Sequence, residues 1–64
     1  MKEETLFPTS AQTLTCFIRC QEITTLLTPI HIVRLDERTA NIYILAGEEI
    51  EIIISRDGTW KFET

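Results

Sequence analysis

The chain has few of the residues that mark several protein classes. Its 64 residues include two cysteines, which is too few for a disulfide scaffold and lacks the paired spacing of a zinc framework. No apolar run approaches the length of a membrane span, and residues 1–5 lack the basic start and apolar core of a signal peptide. These shortages predict a cytoplasmic protein with free thiols and no membrane contact.

Basic side chains are also scarce, with six against ten acidic ones and a formal net charge of −4. That charge repels a phosphate backbone unless the basic residues gather on one surface, so nucleic acid is not an expected partner. The length predicts a single small domain over residues 1–64, with residues 1–8 as a flexible tail. Because such a chain is near the lower limit for a self-sufficient hydrophobic core, assembly would help to stabilise it.

One helix is predicted in the first half of the chain. Thr9 and Gln12 have the spacing of a capping box, so the helix should begin at Ser10. Pro29 cannot continue a helix and restricts the residue before it, which places the end near Leu27.

An advance of about 100° per residue divides the apolar side chains of this helix into two stripes. The first, flanked by Phe17, contains Cys16, Cys20, Ile23 and Leu27. The second contains Ala11, Leu14 and Ile18. One stripe covers the sheet and the other has no partner within so short a chain, so we expect Ala11, Leu14 and Ile18 to form a protein contact.

After Pro29 the pattern predicts four strands joined by short turns. The strands are expected at 30–35, 42–46, 49–55 and 59–63. Short connections between consecutive strands favour antiparallel pairing. The predicted fold class is therefore α+β, with one N-terminal helix packed on a four-stranded antiparallel β-meander.

The last hairpin also has a predicted register. Side chains alternate between faces along a strand, so a two-residue turn would place the isoleucines of 50–54 and the aromatics of 60–62 on opposite faces. A three-residue loop at 56–58, with Gly58 in the left-handed conformation, instead pairs Ile54 with Trp60 and Ile52 with Phe62. We expect the three-residue loop.

A single helix covers one face of such a sheet, and the other face is also apolar. Alternation along the strands leaves two possibilities for its residues. The first is the set His31, Val33, Leu35, Tyr43, Leu45 and Ile53, and the second is the set of opposite parity in each strand. A face of this composition predicts a second buried surface, most economically in a homodimer.

Catalytic and metal-binding motifs are weak in this chain. Cys16, Cys20 and His31 are three possible metal ligands, or a thiol with a base, but their spacing matches no known site and buried cysteines are usually core residues. The carboxylates lie in turns and on strands without a calcium-loop spacing, and the aromatic residues Trp60, Phe62 and Tyr43 are expected in the core. We therefore predict no enzyme, no cofactor and no metal.

Four segments resemble a short uncharacterised protein family associated with cyanobacteria. They are Pro8-Thr9-Ser10-Ala11-Gln12, Asp36-Glu37-Arg38-Thr39, Asn41-Ile42-Tyr43-Ile44-Leu45-Ala46-Gly47-Glu48 and Asp57-Gly58-Thr59-Trp60. The resemblance implies a compact bacterial protein of unknown function and transfers no catalytic or binding residue.

The sequence thus predicts a small oligomerisation or partner-binding module that associates with copies of itself or with another small protein. The first alternative is a nucleic-acid-associated regulator, whose basic patch after dimerisation would be Arg19, Arg34, Arg38 and Arg56. The second is a small metal- or thiol-dependent enzyme that uses Cys16, Cys20 and His31.

Overall fold

The computed structural model describes residues 6–63, so residues 1–5 of the predicted tail lie outside the described part. The elements in chain order are α1 (Ser10–Thr25), β1 (Ile30–Leu35), β2 (Ile42–Ala46), β3 (Ile50–Ile54) and β4 (Trp60–Phe62). The four strands form one antiparallel sheet in the order β1-β2-β3-β4, and α1 packs on one face. The predicted α+β fold is confirmed.

The start of α1 follows from local chemistry. The Thr9 hydroxyl accepts a hydrogen bond from the Gln12 backbone N–H, and the Gln12 side chain accepts one from the Thr9 N–H. This capping box satisfies two of the N–H groups that a helix start leaves without partners.

The end of α1 falls two residues before the predicted position. The N–H of Leu27 donates to the Thr24 carbonyl over 2.8 Å, and the N–H of Thr28 donates to the Ile23 carbonyl over 3.2 Å. These two bonds form a Schellman motif, which requires a left-handed residue, here Leu27 with φ of 59°. Leu27 is 91% exposed, so its expected place in the core stripe is wrong.

The hairpin of β3 and β4 has the predicted register. Ile52 pairs with Phe62 and Ile54 pairs with Trp60. The loop contains three residues, and Gly58 has a φ of 91°. The parity argument therefore identified both the loop length and the residue that needs the left-handed conformation.

The core lies between α1 and the inner face of the sheet. Its buried residues, all with at most 5% exposure, are Ile23, Ile42, Ile44, Ala46, Ile52 and Ile54. In β1, Val33 and Leu35 pair with inner-face residues of β2, so Ile32 and Arg34 lie on the opposite, open face. A register shift between Ile30 and Ile32 determines which side chains of β1 face the core.

The aromatic side chains are less buried than expected. Trp60 and Phe62 lie on the inner face at its β4 edge, where their rings meet edge to face at 5.3 Å, but both remain exposed. Tyr43 is on the open face, because its neighbours Ile42 and Ile44 face the core. The expectation that all three are core residues is wrong, since α1 is too narrow to cover four strands.

Candidate functional site

A fully buried glutamine positions α1 on the sheet. Gln12 has no solvent exposure, and its Nε2 donates to the carbonyls of Ala40 at 2.9 Å and Ile54 at 3.2 Å. Its Oε1 accepts from the Thr9 N–H and from Nη1 of Arg56. One side chain therefore joins the helix start, the β1–β2 turn, the end of β3 and the hairpin loop.

Further polar contacts join α1 to β4. The Arg19 guanidinium lies 4.4 Å from the centre of the Trp60 ring and forms an ion pair with Glu22 at 2.9 Å. The Thr15 hydroxyl donates to the Gly58 carbonyl over 2.8 Å. These contacts place Thr15 and Arg19 toward the body of the protein.

The solvent side of α1 combines exposed apolar residues with the exposed polar residues Ser10, Gln21 and Thr25. We define the helix surface as Ala11, Leu14, Phe17 and Ile18, whose side chains lie within about 120° of the helix circumference. Leu14 is 63% exposed and Phe17 is 64% exposed. The only charged residues of α1 are Arg19 and Glu22, which pair with each other. The helix surface is thus a strip of exposed, uncharged apolar side chains, bordered by the exposed Glu22 one turn after Ile18.

The three predicted contact residues occupy one side of this strip. Leu14 and Ile18 face solvent, while Ala11 lies at the boundary with the hairpin, because a Cβ on Gly58 would be 3.0 Å from the Ala11 Cβ. Phe17 was assigned to the core stripe and is instead part of the exposed strip. Its spacing of three residues from Leu14 was the signal that could have placed it there.

Next to the strip, a groove separates α1 from the edge strand β1. Its volume is about 450 Å³, and its lining includes Cys16, Cys20, Phe17, Val33 and Leu35. Burial, together with the neighbouring Cys20, raises the pKa of the Cys16 thiol to about 11. The Cys16 thiol is therefore protonated at neutral pH, which disfavours both a nucleophile and a thiolate ligand.

The structure does not gather the other candidate groups into a site. His31 contacts the Gly47 carbonyl at 3.0 Å through its Nε2. Within residues 6–63, no three side chains among histidine, cysteine, aspartate and glutamate are arranged to hold a metal ion. Asp36 and Asp57 instead accept backbone N–H groups in their own turns, which lowers the pKa of both carboxyls.

The arginines of the proposed basic patch lie in different places. Arg19 is beside Trp60, Arg34 is on the open sheet face, and Arg38 is in the β1–β2 turn with Asp36. Arg56 donates to the Phe7 carbonyl and to Gln12. Within one chain, these four side chains form no common surface for phosphate.

The open face of the sheet is a second mixed surface. Its apolar side chains are Ile32, Tyr43, Leu45 and Ile53, and its charged ones are Arg34, Glu51, Lys61 and Glu63. Partial desolvation raises the pKa of the Tyr43 phenol, and the nearby Glu51 carboxylate adds to that shift. The apolar residues are concentrated on the two central strands and on β1.

Residues 6–63 define a class of protein: an α+β domain of one helix on an antiparallel sheet, with an open, partly apolar sheet face and exposed apolar side chains on the outer side of the helix. No helix among residues 6–63 is long and apolar enough to cross a membrane.

The chain belongs to the family described as a domain of unknown function, DUF6888, whose model matches residues 7–61. No curated protein and no solved structure matches the chain. The family match supports the resemblance to an uncharacterised family, while the cyanobacterial origin stays a prediction.

Proposed function

We propose that this protein is a small oligomerisation module, and that a second copy of the chain binds the helix surface of Ala11, Leu14, Phe17 and Ile18. The proposed role is association rather than catalysis. The observation that carries it is the exposure of Leu14 and Phe17, each above 60%, on the uncharged helix surface. Helices that only face solvent carry charged and polar residues there.

Net charge opposes the approach of a second copy, and this opposition is smallest at the helix surface. Each chain carries a formal charge of −4, so two copies repel one another over most of their surfaces. The helix surface is a place where two copies can approach closely without bringing like charges together. An antiparallel helix pair would place Leu14 and Ile18 of one chain against the same residues of the other, as a two-fold contact requires.

The size of the surface sets the expected strength. A helix of 16 residues is about 24 Å long and about 10 Å wide, so it presents a few hundred Å². A standard interface removes about 800 Å² from each partner. The helix contact alone is therefore expected to be weak and to depend on protein concentration.

The cytoplasm is the proposed compartment, because Cys16 and Cys20 are both free thiols. Disulfides rarely persist in cytosolic proteins, where thiols are kept reduced.

The test compares two substitutions of exposed leucines. Leu14→Asp places a charge within the helix surface, whereas Leu27→Asp makes the same chemical change at the 91% exposed residue beyond the end of α1. Native mass spectrometry and sedimentation over a concentration series report the assembly state, and circular dichroism verifies that each variant is folded.

We expect Leu14→Asp to lower the assembly state and Leu27→Asp to leave it unchanged. Equal assembly of wild type and Leu14→Asp would overturn the helix surface as the contact. A wild-type chain that stays monomeric at every concentration would overturn self-association and favour another small protein as the partner.

A further inference from the structure

The side chains of the open sheet face lie in two rows across the strands. The strand pairing places Arg34, Tyr43, Ile53 and Lys61 in the first row. The second row contains Ile32, Leu45, Glu51 and Glu63, since the Glu63 N–H donates to the Glu51 carbonyl. The first row thus has a positive charge at each end, Arg34 and Lys61. The second row has two negative charges, Glu51 on β3 and Glu63 just after β4.

We propose that a second copy of the chain packs face to face against this open sheet face. The two sheets would form a sandwich about 10 Å thick, with the α1 helices on its outer sides. This inference concerns a surface on the other side of the molecule from α1 and does not depend on the helix contact.

Symmetry leaves two aligned arrangements for such a pair. A two-fold axis parallel to the strands places β1 over β4 and lays each row over itself. Arg34 would then face Lys61 of the second copy, twice in the dimer, and like charges in contact destabilise an interface. This arrangement is disfavoured.

A two-fold axis perpendicular to the strands places β1 over β1 and exchanges the rows. Tyr43 then faces Leu45 of the second copy, and Lys61 faces Glu63 of the second copy. Each contact occurs twice because the interface is isologous. In the same orientation Arg34 faces Ile32 and Glu51 faces Ile53 of the second copy. One kind of charge pair is therefore attractive in this orientation, whereas the other orientation is repulsive.

The chemical pattern also matches that of protein interfaces. The centre of the face carries Tyr43, Leu45 and Ile53 beside the half-buried Glu51. The other charged residues, Arg34, Lys61 and Glu63, lie at its margins and are exposed. Four strands spaced about 4.8 Å apart and averaging about five residues in length cover about 300 Å² in projection. Such an area is well below the about 800 Å² that a standard interface removes from each partner, so this contact is expected to be weak. The two Lys61–Glu63 pairs select its orientation.

Reversal of these two charges tests the proposal. Lys61→Glu and Glu63→Lys are prepared separately, each in a chain that also carries Leu14→Asp, which removes any helix contact. The parent for comparison carries Leu14→Asp alone. The two charge variants are analysed separately and as a mixture by native mass spectrometry. One variant is uniformly labelled with ¹⁵N, because the unlabelled chains have nearly the same mass.

We expect the parent to dimerise and each charge variant alone to dimerise about tenfold or more weakly, because two attractive pairs become repulsive. The mixture should restore dimers that contain one chain of each kind, since both pairs are then attractive again. Arg38→Glu and Glu37→Lys, in the turn after β1, serve as matched controls that should change neither affinity nor partner choice.

The outcomes separate this proposal from the helix contact. A parent that stays monomeric, or a mixture that forms no excess of mixed dimers, overturns the sheet contact even if the wild type assembles through α1. A parent dimer that responds to charge reversal as expected supports the sheet contact even if Leu14→Asp does not change the wild-type assembly. Operation of both contacts predicts assemblies larger than a dimer in the wild type.

Discussion

Two positions on each side of α1 depart from the usual distribution of residues on a helix. The side against the sheet buries Gln12 completely and Arg19 largely, whereas the solvent side exposes Leu14 and Phe17. A buried polar side chain is tolerated only where its hydrogen-bonding groups are satisfied, and those of Gln12 are. No comparable contact among residues 6–63 accounts for the exposure of Leu14 and Phe17.

This difference teaches that Gln12 and Arg19 are polar side chains of α1 that serve the fold, whereas Leu14 and Phe17 remain in water in the single chain. Gln12 fixes the position of the helix because its bonds are directional and reach three separate segments. The apolar strip contributes little to folding, since it stays in water in the single chain. Substitutions on the side of α1 that faces the sheet should therefore change stability, whereas substitutions on its outer side should change assembly.

The largest expected effect on stability comes from Gln12→Leu. This change keeps a similar volume but leaves the carbonyls of Ala40 and Ile54 and the Thr9 N–H without their partner. We expect the free energy of unfolding to fall by about 2–4 kcal/mol, close to the total of about 3–5 kcal/mol available to a domain of this size.

Urea denaturation followed by circular dichroism measures this loss. The control is Gln21→Leu, the same substitution at an exposed position of α1, which should change stability by less than about 0.5 kcal/mol. Similar values for both variants would contradict the distinction between the two sides of the helix.

A somewhat smaller loss of stability is expected from a substitution in the hairpin loop, at the residue that lies against α1. Gly58→Val puts a β-branched residue at a φ of 91° and a Cβ within 3.0 Å of the Ala11 Cβ. We expect a loss of about 2–3 kcal/mol in unfolding free energy from strain and crowding.

Thr59→Val is the control for this change, because it places a valine at the next residue and removes only exposed hydrogen-bonding capacity at Asp57. Thermal denaturation of both variants gives the comparison. Unchanged stability in Gly58→Val would mean that the hairpin adopts another register.

The smallest expected effect has the opposite sign and concerns the exposed end of α1. Leu26 and Leu27 are both exposed but differ in backbone conformation. Leu27 has a φ of 59°, whereas Leu26 has a φ of −82°. Leu27→Gly should stabilise the protein by about 0.5–1 kcal/mol, because it relieves a left-handed conformation that costs other residues about 1–2 kcal/mol.

Leu26→Gly should destabilise by about 0.5–1 kcal/mol, since glycine only adds freedom to the unfolded chain at a right-handed position. Denaturant midpoints of the two variants should therefore move in opposite directions. A shift in the same direction for both would show that the left-handed turn is not the source of strain.

Local features were predictable because neighbouring residues decide them. The capping box of Thr9 and Gln12 and the glycine of the last loop depend on a few adjacent side chains and on backbone sterics. Burial was harder to predict, since Phe17 could be assigned to either apolar stripe and the parity of β1 depended on a register shift near His31. The hydrogen bonds from the Gln12 side chain to the sheet were missed because their acceptors are 28 and 42 residues away along the chain.

The sequence by itself determined the order of the elements, the antiparallel meander and the register of the last hairpin, because alternation and turn chemistry act over short distances. Only the tertiary structure decided which apolar set of each strand the helix covers, and which side chains of α1 remain in water. Those outcomes depend on where one narrow helix lies on four strands. That position is set by contacts between distant segments, above all the hydrogen bonds of Gln12.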